Sequence, residues 1–258
     1  MRLPNPYALI AALILLFALL FAGELRSEPD VRAAQRATVI VEVYDGERLL
    51  GHGSGVLTRY GIVTAGHVLP DRADRIVVRY WGGEEREARI LARDYEQVHE
   101  TNWRGQRVRR TVSDIAVLEA VPVPGYRPVG VRCTSPAPGK PVYQVGHPLN
   151  LTWIVTQGAV TATHTQRRLP GAWLLHDAVA AQGNSGGGVF DRRGRLIGIT
   201  VQQQIAGAVQ TPMSTVVVPT GNTVAVPAET VCAFLGVRPS HPRHALYTRG
   251  HHPAPGGA

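Results

Sequence analysis

Lysine is almost missing from this chain. Of its 27 lysines and arginines, Lys140 is the only lysine, so arginine carries the formal charge of +8 over 258 residues. A basic balance invites nucleic acid or an anionic surface. Here the arginines are scattered, with no long basic run and no interleaved aromatics. Nucleic-acid readout is therefore not expected. Cysteine is as scarce: Cys133 and Cys232 are the only two, and no C-x-x-C or Cys/His spacing accompanies them. No metal site and no cofactor are expected. The two thiols can close one disulfide in an oxidising compartment or remain separate and buried. Long helical periodicities are few as well. A hydrophobic fraction of 44% excludes disorder as the default, and Gly 28 with Pro 19 points to a loop-rich β protein of one large or two small domains.

Only one long hydrophobic run exists, Ala8 to Ala22, preceded by Arg2 and followed by Glu24, Arg26, Glu28 and Asp30. It has no polar face, which opposes a buried core helix, and the flanking charges put the N-terminus inside and the rest outside. Residues 1–23 are expected to form a hydrophobic helix that acts as a signal anchor or a signal peptide. The remainder is then periplasmic or extracellular, membrane-anchored or, after cleavage, secreted. Residues 24–36 are polar and read as a linker. Residues 237–258, with four histidines among prolines and glycines, read as a disordered tail.

The chemistry gathers around Gly183-Asn184-Ser185-Gly186-Gly187-Gly188, which runs into apolar Val189-Phe190. A nucleophilic serine needs a tight turn that projects its hydroxyl and aims adjacent N–H groups at one point. The letters also satisfy G-x-S-x-G, the elbow of α/β-hydrolases, which expects its acid and histidine after the serine. Downstream of Ser185 stand only Asp191, Glu229 and the histidines of the tail. Upstream lie Thr64-Ala65-Gly66-His67 and Ser113-Asp114-Ile115-Ala116-Val117-Leu118. The order His, Asp, Ser opposes an esterase of the elbow type. Short β-rich segments alternate with turns throughout. Strands are expected at 38–44, 51–58, 62–64, 76–80, 88–92 and 115–118, then at 142–145, 153–163, 173–175, 189–190, 196–201 and 223–226. The polar stretch from Asp94 to Thr111, with Trp103, reads as a long surface loop. Residues 119–131 read as a connector, and 227–236 as a short closing helix with proline near its start and glycine past its end.

These motifs, in this order, resemble the trypsin-like serine peptidases, and within them the bacterial HtrA/Deg type. The resemblance rests on Gly53-Ser54-Gly55-Val56-Leu57 leading to His67, on the Ser113–Leu118 strand, and on Val145-Gly146-His147-Pro148-Leu149. It rests also on Val155-Thr156-Gln157-Gly158-Ala159-Val160, Asp177-Ala178, Gly183–Gly187 and Val224-Ala225-Val226-Pro227. It spans about residues 38 to 236 and implies an all-β fold of two packed six-stranded antiparallel barrels, the first about 37–120 and the second about 130–236, with a short C-terminal helix. It also implies roles: Ser185 as nucleophile, His67 as general base, Asp114 as the group orienting the imidazole, and the N–H groups of Gly183 and Ser185 as oxyanion hole. Thr200, Val201, Gln202 and Gln203 would form the edge strand that pairs with substrate backbone, and Val179 would help line the primary pocket.

Two departures from the family pattern matter. Asn184 stands where zymogen-activated relatives carry an aspartate, so activation by N-terminal trimming is not expected. About twenty residues follow Gly236, too few for the PDZ module usual in the HtrA type. No carboxylate falls in the expected pocket, which disfavours Arg or Lys at the cleaved position. The expected function is that of an exported or membrane-anchored serine endopeptidase acting on protein or peptide substrates. A second reading is a non-catalytic or latent binding module that kept the barrel and edge strand. The sequence leaves the oligomeric state open.

Overall fold

The computed structural model describes residues 31–101, 105, 107–149, 151–163, 173–210 and 215–237. The expected N-terminal hydrophobic helix, the histidine-rich tail beyond 237 and Trp103 lie outside the described residues. Among the described residues no helix is long and apolar enough to cross a membrane.

Strands dominate because β-branched residues recur in short runs bounded by turn formers. The first unit contains β1 (Thr38–Asp45), β2 (Arg48–Thr58), β3 (Gly61–Thr64), β4 (Arg75–Arg79), β5 (Glu85–Glu87), β6 (Ile90–Thr101) and β7 (Arg107–Leu118). They form one antiparallel sheet in the order β5-β4-β1-β2-β3-β7-β6. The second unit contains β8 (Pro141–Gly146), β9 (Ile154–Ala162), β10 (Leu174–His176), β11 (Gly188–Phe190), β12 (Leu196–Gln210) and β13 (Thr215–Pro227). These close into a barrel, β10-β13-β12-β11-β8-β9, with β9 paired to β10. The expectation of two six-stranded barrels is thus met by the second unit alone. In the first, seven strands form a sheet whose edge strands β5 and β6 share no ladder.

Three further expectations are corrected. Residues 94–101 and 107–111 are not a loop: β6 and β7 pair, with Asp94 opposite Ile115, a bulge between Glu96 and Gln97, and Thr101 opposite Arg107. The described side chains of this arm are exposed or half-buried, so no core face imposes an apolar alternation on its sequence. Likewise β12 and β13 pair as far as Gln210 opposite Thr215, well past the short strands expected there. Residues 31–36 belong not to a linker but to helix α1 (Val31–Ala37), which buries Ala34 and Ala37 completely. The Thr38 hydroxyl donates to the Ala34 carbonyl at 2.8 Å, fastening the helix to β1.

One continuous apolar cluster spans both units, from Val39, Val41, Ile62 and Leu118 to Tyr143, Phe190, Leu196 and Val231. A second cluster, including Val142, Leu174, Val189 and Ile197, fills the other face of the barrel strands. Successive residues such as Leu196 and Ile197 therefore both lie buried. The closing helix α2 (Ala228–Phe234) is tied back by a disulfide between Cys133 and Cys232, which encloses 99 positions of chain. That resolves the two cysteines in favour of a bond. A loop of this length is expected to contribute about 2–5 kcal/mol by restricting the unfolded chain. Replacing both cysteines with serine should lower the urea-unfolding free energy by that amount; an unchanged value would remove the disulfide from the stability account.

Candidate active site

His67 sits in a single 3-10 turn (Gly66–Val68) at the end of β3. Its Nδ1 lies 2.7 Å from Asp114 Oδ2, and its backbone N–H donates to Asp114 Oδ1 at 2.9 Å. Both oxygens of one carboxylate are thus spent on one residue, fixing the ring and its backbone together. Asp114 lies inside β7 rather than before it, and its side chain is 2% exposed against 33% for His67. A buried carboxylate thus holds a half-open imidazole by one nitrogen, and the other has no hydrogen bond among the described residues. The turn is braced by Arg93, whose Nε donates to the Gly66 carbonyl at 2.9 Å, and Tyr95 packs its ring 6.3 Å from that of His67.

Ser185 comes from the second unit, in the turn before β11. The turn is closed by Asn184 N–H to Ala181 O (3.0 Å) and Gly187 N–H to Asn184 O (2.8 Å). Gly183 and Gly186 take φ of +96° and +84°, the left-handed region in which a side chain is strained. A Cβ at Gly186 would also strike the Ser54 carbonyl, and one at Gly183 the His147 carbonyl. The N–H groups of Gly183 and Ser185 have no partner among the described residues. The Ser185 hydroxyl donates to the Val201 carbonyl at 3.0 Å, and no hydrogen bond joins it to His67.

The two halves meet through main chain. Ser54 N–H donates to Ser185 O at 2.7 Å, and a Cβ at Gly53 would lie 2.9 Å from that same oxygen. The expected edge strand divides. Thr200 gives its carbonyl to Gly186 N–H (2.7 Å) and its N–H to Gly187 O (2.8 Å), so it belongs to the nucleophile turn. From Val201 through Gln202 and Gln203 the edge toward β11 carries no ladder, while β13 pairs Gln202 and Gln203 on the opposite edge, past a bulge at Val201. Val179 is 64% exposed, an open apolar side chain beside the turn. Asn184 is buried with its Oδ1 unpartnered among the described residues, and its uncharged amide can form no ion pair.

Sequence reasoning did not assign roles to Ser54, His147, Trp153, Arg93 or Tyr95. Ser54 and His147 stood in motifs already singled out, Gly53-Ser54-Gly55 and Gly146-His147-Pro148. Nothing local showed that these two segments, 93 positions apart, touch.

Two histidines are buried and neutral. Burial depresses His147 to about 3, helped by the charge of His52, and depresses His176 to about 4 against a smaller opposing effect of Asp177. Both ring nitrogens of His176 lack partners among the described residues. A folded-state pKa below the unfolded value of 6.5 means that the unfolded chain binds more protons below that pH. Their contribution is therefore complete above about pH 6.5 and is lost as the pH falls, toward about 4 for His176 and about 3 for His147. Urea unfolding at pH 7.5 and 4.5 should show lower stability at the acid pH, and His176→Leu should flatten part of that slope. An equal slope in the variant would show that His176 is not the group responsible.

Comparison with known proteins agrees with this geometry. Residues 53–199 match the family of trypsin-like peptidase domains. The serine endoproteases DegS of Salmonella typhimurium and of Escherichia coli K12 are each 31% identical over 156 residues, 59% of this chain and 39% of theirs. The chain thus spans about two fifths of the length of these curated relatives. Among solved structures, a serine endoprotease from Yersinia pestis superposes with a TM-score of 0.58 at 27% identity, over 79% of this chain and 62% of that one. The HtrA-type protease AlgW with a tripeptide gives 0.57 at 24% identity, over 76% and 58%, and supports the fold alone. With more than half of its length matched to that family and its fold shared with HtrA-type proteases, this chain belongs to the trypsin-like peptidases.

Proposed function

We propose that this protein is a serine endopeptidase in which Ser185 is the nucleophile, His67 the general base and then general acid, and Asp114 the group that orients His67 and stabilises its cation. The observation that carries the reading is the doubly held His67–Asp114 pair, set beside a serine turn that Ser54 N–H anchors and whose Gly183 and Ser185 N–H groups have no partner among the described residues. Attack requires Ser185 Oγ to leave the Val201 carbonyl for the free nitrogen of His67, which takes the proton as the serine–carbonyl bond forms. The carbonyl oxygen becomes an oxyanion facing the N–H groups of Gly183 and Ser185. His67 then returns the proton to the leaving amine, and water repeats the sequence on the acyl-enzyme. Resting hydrogen bonds in unliganded sites are commonly loose and tighten with substrate.

Substrate would enter as an added strand along Val201–Gln203, continuing the edge that begins at Thr200. A substrate N–H donated to Val201 O would replace the Ser185 hydroxyl there and release it toward His67. Val179, with no carboxylate beside it in the Val179–Gln182 segment, favours small to medium aliphatic side chains at the cleaved position. We assign residues 37–236 to the protease domain. The apolar run within residues 1–23 would export it as signal or anchor, placing the peptidase in the periplasm or outside the cell. The disulfide supports an oxidising compartment.

The full-length chain should label with a fluorophosphonate probe, and Ser185→Ala should abolish labelling while Asp114→Asn slows it on the order of 10⁴-fold. Equal labelling of wild type and Ser185→Ala would end the peptidase reading in favour of a binding module. A peptide-library profile should be led by Ala, Val or similar residues at the cleaved position; dominance of Arg and Lys would reject the pocket assignment.

A further inference from the structure

The two peptide groups flanking Gly183 are both held from behind. The Gln182 carbonyl accepts the Leu149 N–H at 2.7 Å, and the Gly183 carbonyl accepts the Ser54 hydroxyl at 2.8 Å. In a trans peptide the C=O and N–H point in opposite directions. Holding the Gln182 carbonyl toward Leu149 therefore turns the Gly183 N–H to the other side, where it has no partner. A flip of this one peptide would carry a carbonyl, not an N–H, toward the reacting oxygen.

Ser54 reaches this place because β3 stops at Thr64, opposite Gly55, and leaves the next residue of β2 free on that edge. Its side chain is fully buried and committed. The hydroxyl has one proton, given to Gly183 O, and its oxygen accepts the backbone N–H of His147 at 3.1 Å. His147 Nδ1 lies 3.1 Å from the same oxygen. With the hydroxyl proton spent on Gly183, Nδ1 must carry the hydrogen and donate, which leaves Nε2 as a bare acceptor. His147 Nε2 is indeed buried with no partner among the described residues. Burial keeps this ring neutral.

The segment that delivers His147 and Leu149 is itself braced. Leu149 and Trp153 have φ of 55° and 52°, uncommon for residues with a Cβ and sustained only where the surroundings impose them. Trp153 sets its ring edge-on to His147 at 5.0 Å, donates Nε1–H to Thr38 O at 2.8 Å, and accepts Gln35 Nε2–H on its carbonyl at 2.9 Å. Helix α1 and the start of β1 thus hold Trp153, Trp153 backs His147, and His147 with Ser54 holds the turn.

We propose that Ser54 and His147 are positioning residues that form a latch: together they fix the Gly183 peptide so that its N–H faces the developing oxyanion. Neither touches substrate, and the proposal rests on the peptidase reading above. Two readouts on the full-length chain separate the two ideas: the rate of fluorophosphonate labelling, and hydrogen exchange of the Leu149 amide followed by NMR. Ser54→Ala should slow labelling about 10- to 100-fold, somewhat less than outright loss of one oxyanion donor. It should also speed Leu149 exchange at least about tenfold, while the low-field proton of the His67–Asp114 pair stays in place. His147→Asn keeps a side-chain N–H near the Nδ1 position and should label within about threefold of wild type, whereas His147→Gln, whose amide lies at the Nε2 position, should fall with Ser54→Ala. Unchanged labelling and exchange in Ser54→Ala would overturn the latch. So would equal labelling of the Asn and Gln variants, which decides the matter if Ser54→Ala does not fold. If the wild-type chain fails to label, the peptidase reading falls, and Leu149 exchange still decides whether the latch holds the turn.

Discussion

The structure depends on a contact of bare backbone between strand β2 and the Ser185 turn. Ser54 gives its N–H to the Ser185 carbonyl, while Gly53 and Gly186 leave no room for a Cβ against the facing chain. Side-chain packing alone permits two β units to slide or rotate by small amounts. A hydrogen bond of 2.7 Å between main chains at closest approach does not. It sets the position of a serine on one unit relative to a histidine and an aspartate on the other, which is the precision that proton transfer between them demands.

Around that contact the polar groups are assigned with economy. Asp114 uses both oxygens on His67, and Thr200 uses both backbone groups on the turn. Among the described residues the N–H groups of Gly183 and Ser185 remain unpartnered, and these are the ones a developing oxyanion would need. Elsewhere, among the described residues, buried polar atoms stand without partners, in His176 above all, which is held as a neutral ring. The Ser185 hydroxyl resting on Val201 O, rather than on His67, places the nucleophile on the strand edge that a substrate would occupy.

Membership of the trypsin-like peptidases brings a fold and a chemistry but not a substrate, and this chain differs from the expected plan in its first unit. Seven strands there make a sheet with a long β6–β7 hairpin rather than a closed barrel of six. That hairpin carries Asp114 near its base and pairs it with Tyr95, which backs His67. The departure in shape thus leaves the two catalytic candidates of the first unit in place.

The sequence by itself determined what is local or ordered along the chain. It showed the strand-rich class, the His-Asp-Ser order and the turn that offers a serine between glycines. Each of these depends on residue type and near neighbours alone. Tertiary structure decided what depends on distant segments meeting. The β6–β7 arms (94–101 and 107–111) were hidden because their described side chains have no buried face to impose an alternation, the full lengths of β12 and β13 because each depends on pairing with the other, and helix α1 because its buried face is only two alanines. The pairing of Cys133 with Cys232 across 99 positions could not be read from either neighbourhood. Nor could the meeting of Ser54 with His147 behind Gly183, for a hydroxyl and an imidazole acquire those roles only when folding removes water from both and leaves each the other as partner.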